Sequence, residues 1–242
     1  MGKKITVAII VLSLVICIPV LGAHNISETF RTGLLVLQYY TSSFDLLITG
    51  LKPLEIAISQ FELSIAENQN VDESLLLIAL IYQQLGNPDK ALDYLDFYLQ
   101  RNPEESWAYV LQGDLWDQLG DQEQALEYYE KAIAHGEYAK GYYGVGTVKV
   151  SQEKNSEAIE AFAKCIEIAP DFLEARMQLA STYFNSSQFD EALEQFELVV
   201  RYDPYLADAH YYLSVLYERN GDLDKAQHAR IMAVSYGSSL IQ

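Results

Sequence analysis

Cysteine is nearly missing from this chain. Its two residues, Cys17 and Cys165, supply neither a disulfide framework nor a zinc-ligand spacing. Histidine is as scarce, and none of His24, His135, His210 and His228 lies within four residues of another, so no histidine motif selects a metal centre. Basic residues are few: 16 Lys and Arg stand against 34 Asp and Glu, a formal net charge of -18. A polyanion is a poor partner for such a surface, which argues against nucleic acid and leaves a basic or neutral partner. Six prolines and 13 glycines are spread thinly while half the residues are apolar, so the chain does not read as disordered. Catalytic signatures are missing as well. Gly141, Gly144 and Gly146 imitate a phosphate-binding loop, but no strand precedes them and they sit in a helical pattern. Acidic pairs such as Asp89 and Asp93 abound without any feature that sets one against another across a cleft. No catalytic residue, metal ligand or cofactor is expected. Cys165 falls at a small-residue position of a helix and should be buried and inert, and His210 at a core-like position should be a hydrogen-bonded structural residue.

Charge is also missing from residues 5–23, directly behind Lys3 and Lys4. Two membrane readings of residues 1–23 stay open. Nineteen uncharged residues just suffice for an anchor. Pro19, Gly22 and Ala23 equally suit a signal peptide cut after Ala23. Either way the lysines hold the N-terminus in the cytoplasm, and the rest of the chain is expected outside it, anchored or secreted.

What is abundant is periodicity. Small residues recur at Ala57, Ala91, Ala125, Ala158, Ala192 and Ala226, at intervals of 34, 34, 33, 34 and 34. Bulky residues follow four positions later at Phe61, Leu95, Tyr129, Phe162 and Phe196, with Arg230 in the last unit. Pro103, Pro170 and Pro204 stand twelve positions after their small residues. A period near 34 that carries three signals marks a repeat protein. Each period holds two helices: Trp107, Val110, Leu111, Leu115 and Leu119 share one side of the first, and Ala125, Tyr129 and Ala132 share one side of the second. The small residues have a steric reason, because two helices approach closely only where neither carries a large side chain. Ala79, Gly113, Gly146, Ala180 and Ser214 are the matching sites on first helices, with Gly146 facing Ala158 and Phe162. Each proline stops one helix before the next begins.

Gly113, Tyr142, Gly146, Tyr183, Ala192, Phe196 and Pro204, at these offsets, resemble the tetratricopeptide repeat family over residues 72–240, and more weakly over 38–71. The resemblance implies an all-α, right-handed superhelical solenoid of about six antiparallel helix pairs. Its expected units are 38–71, 72–105, 106–138, 139–172, 173–206 and 207–240, behind a capping helix in 24–37. It also implies a non-catalytic protein- or peptide-binding scaffold whose first helices line a concave groove. Carried onto this chain, the fifth first-helix positions are Leu76, Val110, Tyr143, Met177 and Tyr211, an apolar stripe with Trp107 beside it. Asp114, Asp117, Glu174 and Asp208 flank it, and Phe184 adds a mixed patch. Such a groove would take a segment with apolar anchors and basic flanks. A carboxylate clamp of the kind some members use is not expected, since Lys140 alone matches a basic groove position, and Thr147 and Ser181 replace the amide-bearing residues. The other reading is a structural subunit or assembly factor of a membrane or envelope complex. A polar ending, YGSSLIQ, and Arg230 suggest a terminal unit whose outer face meets water.

Overall fold

A computed structural model of the chain describes residues 27–42, 52–136 and 139–240. Residues 5–23 lie outside those described. Among the described residues no helix is long and apolar enough to cross a membrane. The described residues hold twelve α-helices and no strand, which is the all-α repeat architecture the periodicity predicts.

Two compact units divide the chain, one through Glu105 and one from Ser106. The first holds α1 (Glu28–Ser42), α2 (Lys52–Ala66), α3 (Val71–Gln84) and α4 (Pro88–Arg101). Here α1 pairs with α2, and α3 with α4. The expected division between a cap and a first repeat, at residue 37, falls inside α1. That helix is itself the first member of a pair: Gly33 faces the Phe61 ring, as Gly113 and Gly146 face theirs further on. Phe30 and Phe61 meet with ring centroids 5.4 Å apart, and Leu37, Leu54, Ala57 and Ile78 complete a shared core.

The second unit holds α5 (Ser106–Leu119), α6 (Gln122–Ala134), α7 (Ala139–Ser151), α8 (Asn155–Ile168), α9 (Leu173–Asn185), α10 (Phe189–Tyr202), α11 (Ala207–Arg219) and α12 (Leu223–Ser235). They form four pairs, each second helix also packing on the first helix of the following pair. The turn inside each pair closes with the same backbone hydrogen bonds, and an aspartate caps the second helix in the first and last of these pairs. After α5, the Gly120 and Asp121 N–H groups return to carbonyls of the last turn, and the Asp121 carboxylate then caps α6 by accepting the Gln124 N–H at 3.1 Å. Gly120 takes a φ of 84°, and the equivalent residues of the next two pairs take it without glycine, Glu153 at 60° and Ser187 at 61°. Between pairs, α4, α8 and α10 each end two residues before Pro103, Pro170 and Pro204, as the proline rule predicts. A first-helix side chain then reaches back to two of these prolines. The Arg176 Nη2 donates to the Pro170 carbonyl at 3.0 Å, and the His210 Nε2 lies 2.9 Å from that of Pro204. His210 is thus the hydrogen-bonded structural residue expected, although half-buried.

All six periodic alanines are buried, as are Phe61, Leu95, Tyr129, Phe162 and Phe196. Cys165 is fully buried, and burial pushes its thiol up to about 11. Gly141, Gly144 and Gly146 lie in α7, not in a loop.

Candidate protein-binding surface

The register of the second unit is set at Tyr129. Its ring lies where side chains on two neighbouring helices would have to be: a Cβ on Gly113 of its own pair would stand 2.5 Å from the ring, and one on Gly144 of the next pair closer still. One turn along, the Ile133 side chain lies 3.0 Å from where a Cβ of Gly141 would be. Glycine at three places therefore lets α5 and α7 close on α6. Residues 129 and 133 of α6 face 144 and 141 of α7, so the two helices run antiparallel. The Tyr129 hydroxyl emerges at the far side and donates to an Asp114 carboxylate oxygen at 2.8 Å.

That hydrogen bond holds Asp114, the first of a cluster of predicted residues. Asp114 keeps an exposed edge, yet the protein around it raises its carboxyl pKa; the Tyr129 hydroxyl and the Lys140 charge pull the other way, and Asp117 adds to the rise. Tyr143, half-buried on α7, packs against Phe162 at 5.9 Å and Phe172 at 5.1 Å. Its phenol is raised first by burial, then by the charges of Glu174 and, more weakly, Asp114. Asp114, Asp117, Tyr143 and Glu174 thus share one neighbourhood on the first helices α5, α7 and α9, with the three carboxylates exposed to solvent.

A second cluster lies on α9 and α11. Met177 and Phe184, both half-buried, pack on the core formed by Ala180, Ala192, Phe196 and Leu213. Phe184 meets Phe189 at 5.6 Å and Tyr212 at 5.2 Å, both edge to face. Tyr211 is half-buried and stands edge-on to Tyr212 at 5.6 Å. Tyr212, which the sequence pattern did not single out, joins this group by stacking on Phe196 at 4.7 Å, with Asp208 and Tyr211 raising its phenol after burial. Asp208 is half-buried and already accepts a hydrogen bond from the Ser238 hydroxyl at 2.6 Å.

Three predicted residues stand differently. Val110 is only 6 % exposed, packed with Ala125, Tyr129, Ala132 and Val148, so it is a core residue and offers no anchor. The glycine-mediated closure of α5 on α6 takes it out of reach. Trp107 is half-buried near the start of α5. Leu76, half-buried on α3, belongs to the first unit. As for a carboxylate clamp, the Thr147 hydroxyl donates to the Gly144 carbonyl of its own helix at 2.8 Å, and the Lys140 charge acts on Asp114. Among the described residues no group of three or more His, Cys, Asp or Glu could hold a metal ion.

This arrangement of paired helices is matched by known proteins. A family model described as Tetratricopeptide repeat covers residues 76–142 and 177–232, and a second of the same description covers 149–204. The chain belongs to the tetratricopeptide repeat family. No curated protein matches it. Solved structures that resemble it include YrrB, with 27 % identity, a TM-score of 0.58 and coverage of 74 % of this chain and 93 % of that one. A crystal structure of MamA aligns with 21 % identity and a TM-score of 0.60, over 66 % of this chain and 94 % of that one. The MamA of Desulfovibrio magneticus RS-1 aligns with 19 % identity and a TM-score of 0.61, over 72 % and 98 % of the two chains. The MamA likenesses show the fold; they carry nothing further.

Proposed function

We propose that this protein is a non-catalytic scaffold that holds a protein or peptide partner outside the cytoplasm, on the first-helix surface of its second unit. The observation that carries this reading is the setting of Tyr143: a half-buried aromatic ring on α7 that feels the exposed carboxylates of Glu174 and Asp114, with Asp117 beside Asp114. Aromatic residues of this kind supply most of the binding energy at protein interfaces, and the surrounding acids favour a partner with positive charge. Tyr143, Met177 and Tyr211 are the anchors, with Phe184 and Trp107 beside them. Family membership supports an interaction scaffold, and the similar YrrB is described as a TPR protein with an unusual peptide-binding site. The partner is a segment with apolar side chains and basic flanks. Residues 5–23 deliver the chain to the membrane and are then cut after Ala23 or kept as an anchor. Sequencing the mature N-terminus separates the two.

A photoreactive residue placed at Met177, with one at Glu130 on the exposed side of α6 as control, tests the surface in intact cells. Capture of an extracytoplasmic protein through a basic segment at 177 and not at 130 supports the reading. Capture at 130 alone, or of a cytoplasmic protein, contradicts it.

The alternative, a structural subunit or assembly factor of a membrane or envelope complex, is favoured by a separate observation. The outer side of α12 carries exposed Leu223, Ile231 and Val234, an apolar end in place of the polar one expected of a terminal unit.

A further inference from the structure

The exposed apolar residues of α12 are not scattered. Leu223, Gln227, Arg230, Ile231 and Val234 fall within an arc of about 100° at 100° per residue, its centre about 120° round the helix from the buried Ala226, Ala229 and Ala233. Leu223 is 67 % exposed, Ile231 52 % and Val234 60 %.

The repeat register says what this face is built to meet. Counted from the small residue, Arg230 occupies the place of Tyr129 and Val234 that of Ile133. On α6 those two side chains are covered by α7, an antiparallel helix that approaches through Gly144 and Gly141. On α12 nothing among the described residues covers the same face. An antiparallel helix is therefore the shape that this fold seats there.

The spacing of the stripe makes it its own partner. Turned end for end about a point between His228 and Ala229, Leu223 falls opposite Val234 and Gln227 opposite Arg230. A second α12 laid antiparallel thus puts apolar against apolar at both ends, and a carboxamide against a guanidinium in the middle. Charge favours the same occupant. In a chain of formal net charge -18, two copies repel over most of their surface. This stripe holds no carboxylate, though exposed Asp224 borders it beside Ile231, and its one charged residue, Arg230, is balanced by Glu218 at 3.7 Å on α11. The first-helix surface, with Asp114, Asp117 and Glu174, has no such neutrality.

We propose that the outer face of α12 is a homodimer interface, in which α12 of one copy packs antiparallel on α12 of a second about a two-fold axis. This rests on the end face alone and not on peptide capture by Tyr143 and its neighbours, so either can fail without the other.

The test uses the full-length chain in detergent, which shields residues 5–23. Sedimentation equilibrium should find a dimer for the native sequence and a monomer for Leu223→Glu/Val234→Glu, with the helical circular dichroism unchanged. A native monomer, or a dimer that survives both glutamates, overturns the proposal. A second measurement does not depend on how the double variant folds. In a Cys17→Ser/Cys165→Ala background, isotopically labelled Leu223→Cys chain is mixed with unlabelled Val234→Cys chain and oxidised. The antiparallel pair predicts the mixed 223–234 disulfide in at least tenfold excess over either homodimeric disulfide. Predominance of the homodimeric disulfides, or no crosslink, overturns it. So does a chain that is monomeric alone and pairs through α12 only with a different protein.

Discussion

Tyr129 and Gly144 are in contact across two helix pairs: the ring of one fills the space a side chain on the other would need. The same ring meets Gly113 on the opposite side, and its hydroxyl ends on Asp114 at 2.8 Å. A single tyrosine thereby fixes the distance from α6 to both α5 and α7, and so the spacing of the helices that present Asp114 and Tyr143.

Adding a methyl group at Gly144 should force that contact apart. Gly144→Ala raises helix propensity but overpacks the Tyr129 ring, and we expect a net loss of about 1–3 kcal/mol in urea unfolding. Tyr129→Phe keeps the ring and removes only the hydrogen bond to Asp114, with an expected loss of about 0.5–1.5 kcal/mol. A Gly144→Ala protein as stable as the native one would show that the ring has room to move.

The turns inside two pairs hold left-handed conformations without glycine. Glu153 and Ser187 have φ of 60° and 61° where Gly86, Gly120 and Gly221 stand in three other pairs. An L-residue there costs roughly 1–2 kcal/mol, part of which glycine returns as unfolded-state entropy. Glu153→Gly and Ser187→Gly should each stabilise the protein by up to about 1 kcal/mol, read as an upward shift in the denaturant midpoint.

The tyrosines predict how stability changes with alkali. Burial is the leading cause that raises the phenols of Tyr94, Tyr98, Tyr129, Tyr143, Tyr183, Tyr212 and Tyr217 above 10.0, Tyr98 to about 12. The folded chain then holds protons that the unfolded chain releases, so stability must fall as pH rises above 10. Absorbance at 295 nm should show these phenols ionising together with the loss of helix, not before it. Complete phenol ionisation with the helices intact would contradict their burial.

Much of this was legible in the sequence because the signals were periodic. The buried alanines, their bulky partners and the proline stops sit where the 34-residue register puts them, since close helix approach leaves few choices of residue. What could not be read came from interruptions of the period. Gly33 plays the part of Gly113, but 28 residues ahead of Phe61 where the other pairs use 16, so the longer connection hid it inside a supposed cap. Gly141 and Gly144 serve the contact between pairs, whereas the 34-residue register of small residues marks only the contact within a pair. Val110 sits at a groove position by register, yet the glycine-tight packing of α5 on α6 buries it. The acids and aromatics of the proposed surface follow from the register, but their division into one cluster around Tyr143 and another around Tyr212 depends on side-chain packing that no spacing encodes.

The central claim is that the first helices of the second unit hold a partner through apolar anchors. Its most direct test is the affinity of the protein captured at Met177 for the native chain and for Tyr143→Ala/Met177→Ala, measured by calorimetry alongside circular dichroism. The account predicts a loss of more than about 1 kcal/mol, a roughly fivefold weakening, with the helical signal unchanged. Equal affinity for the two proteins would contradict it.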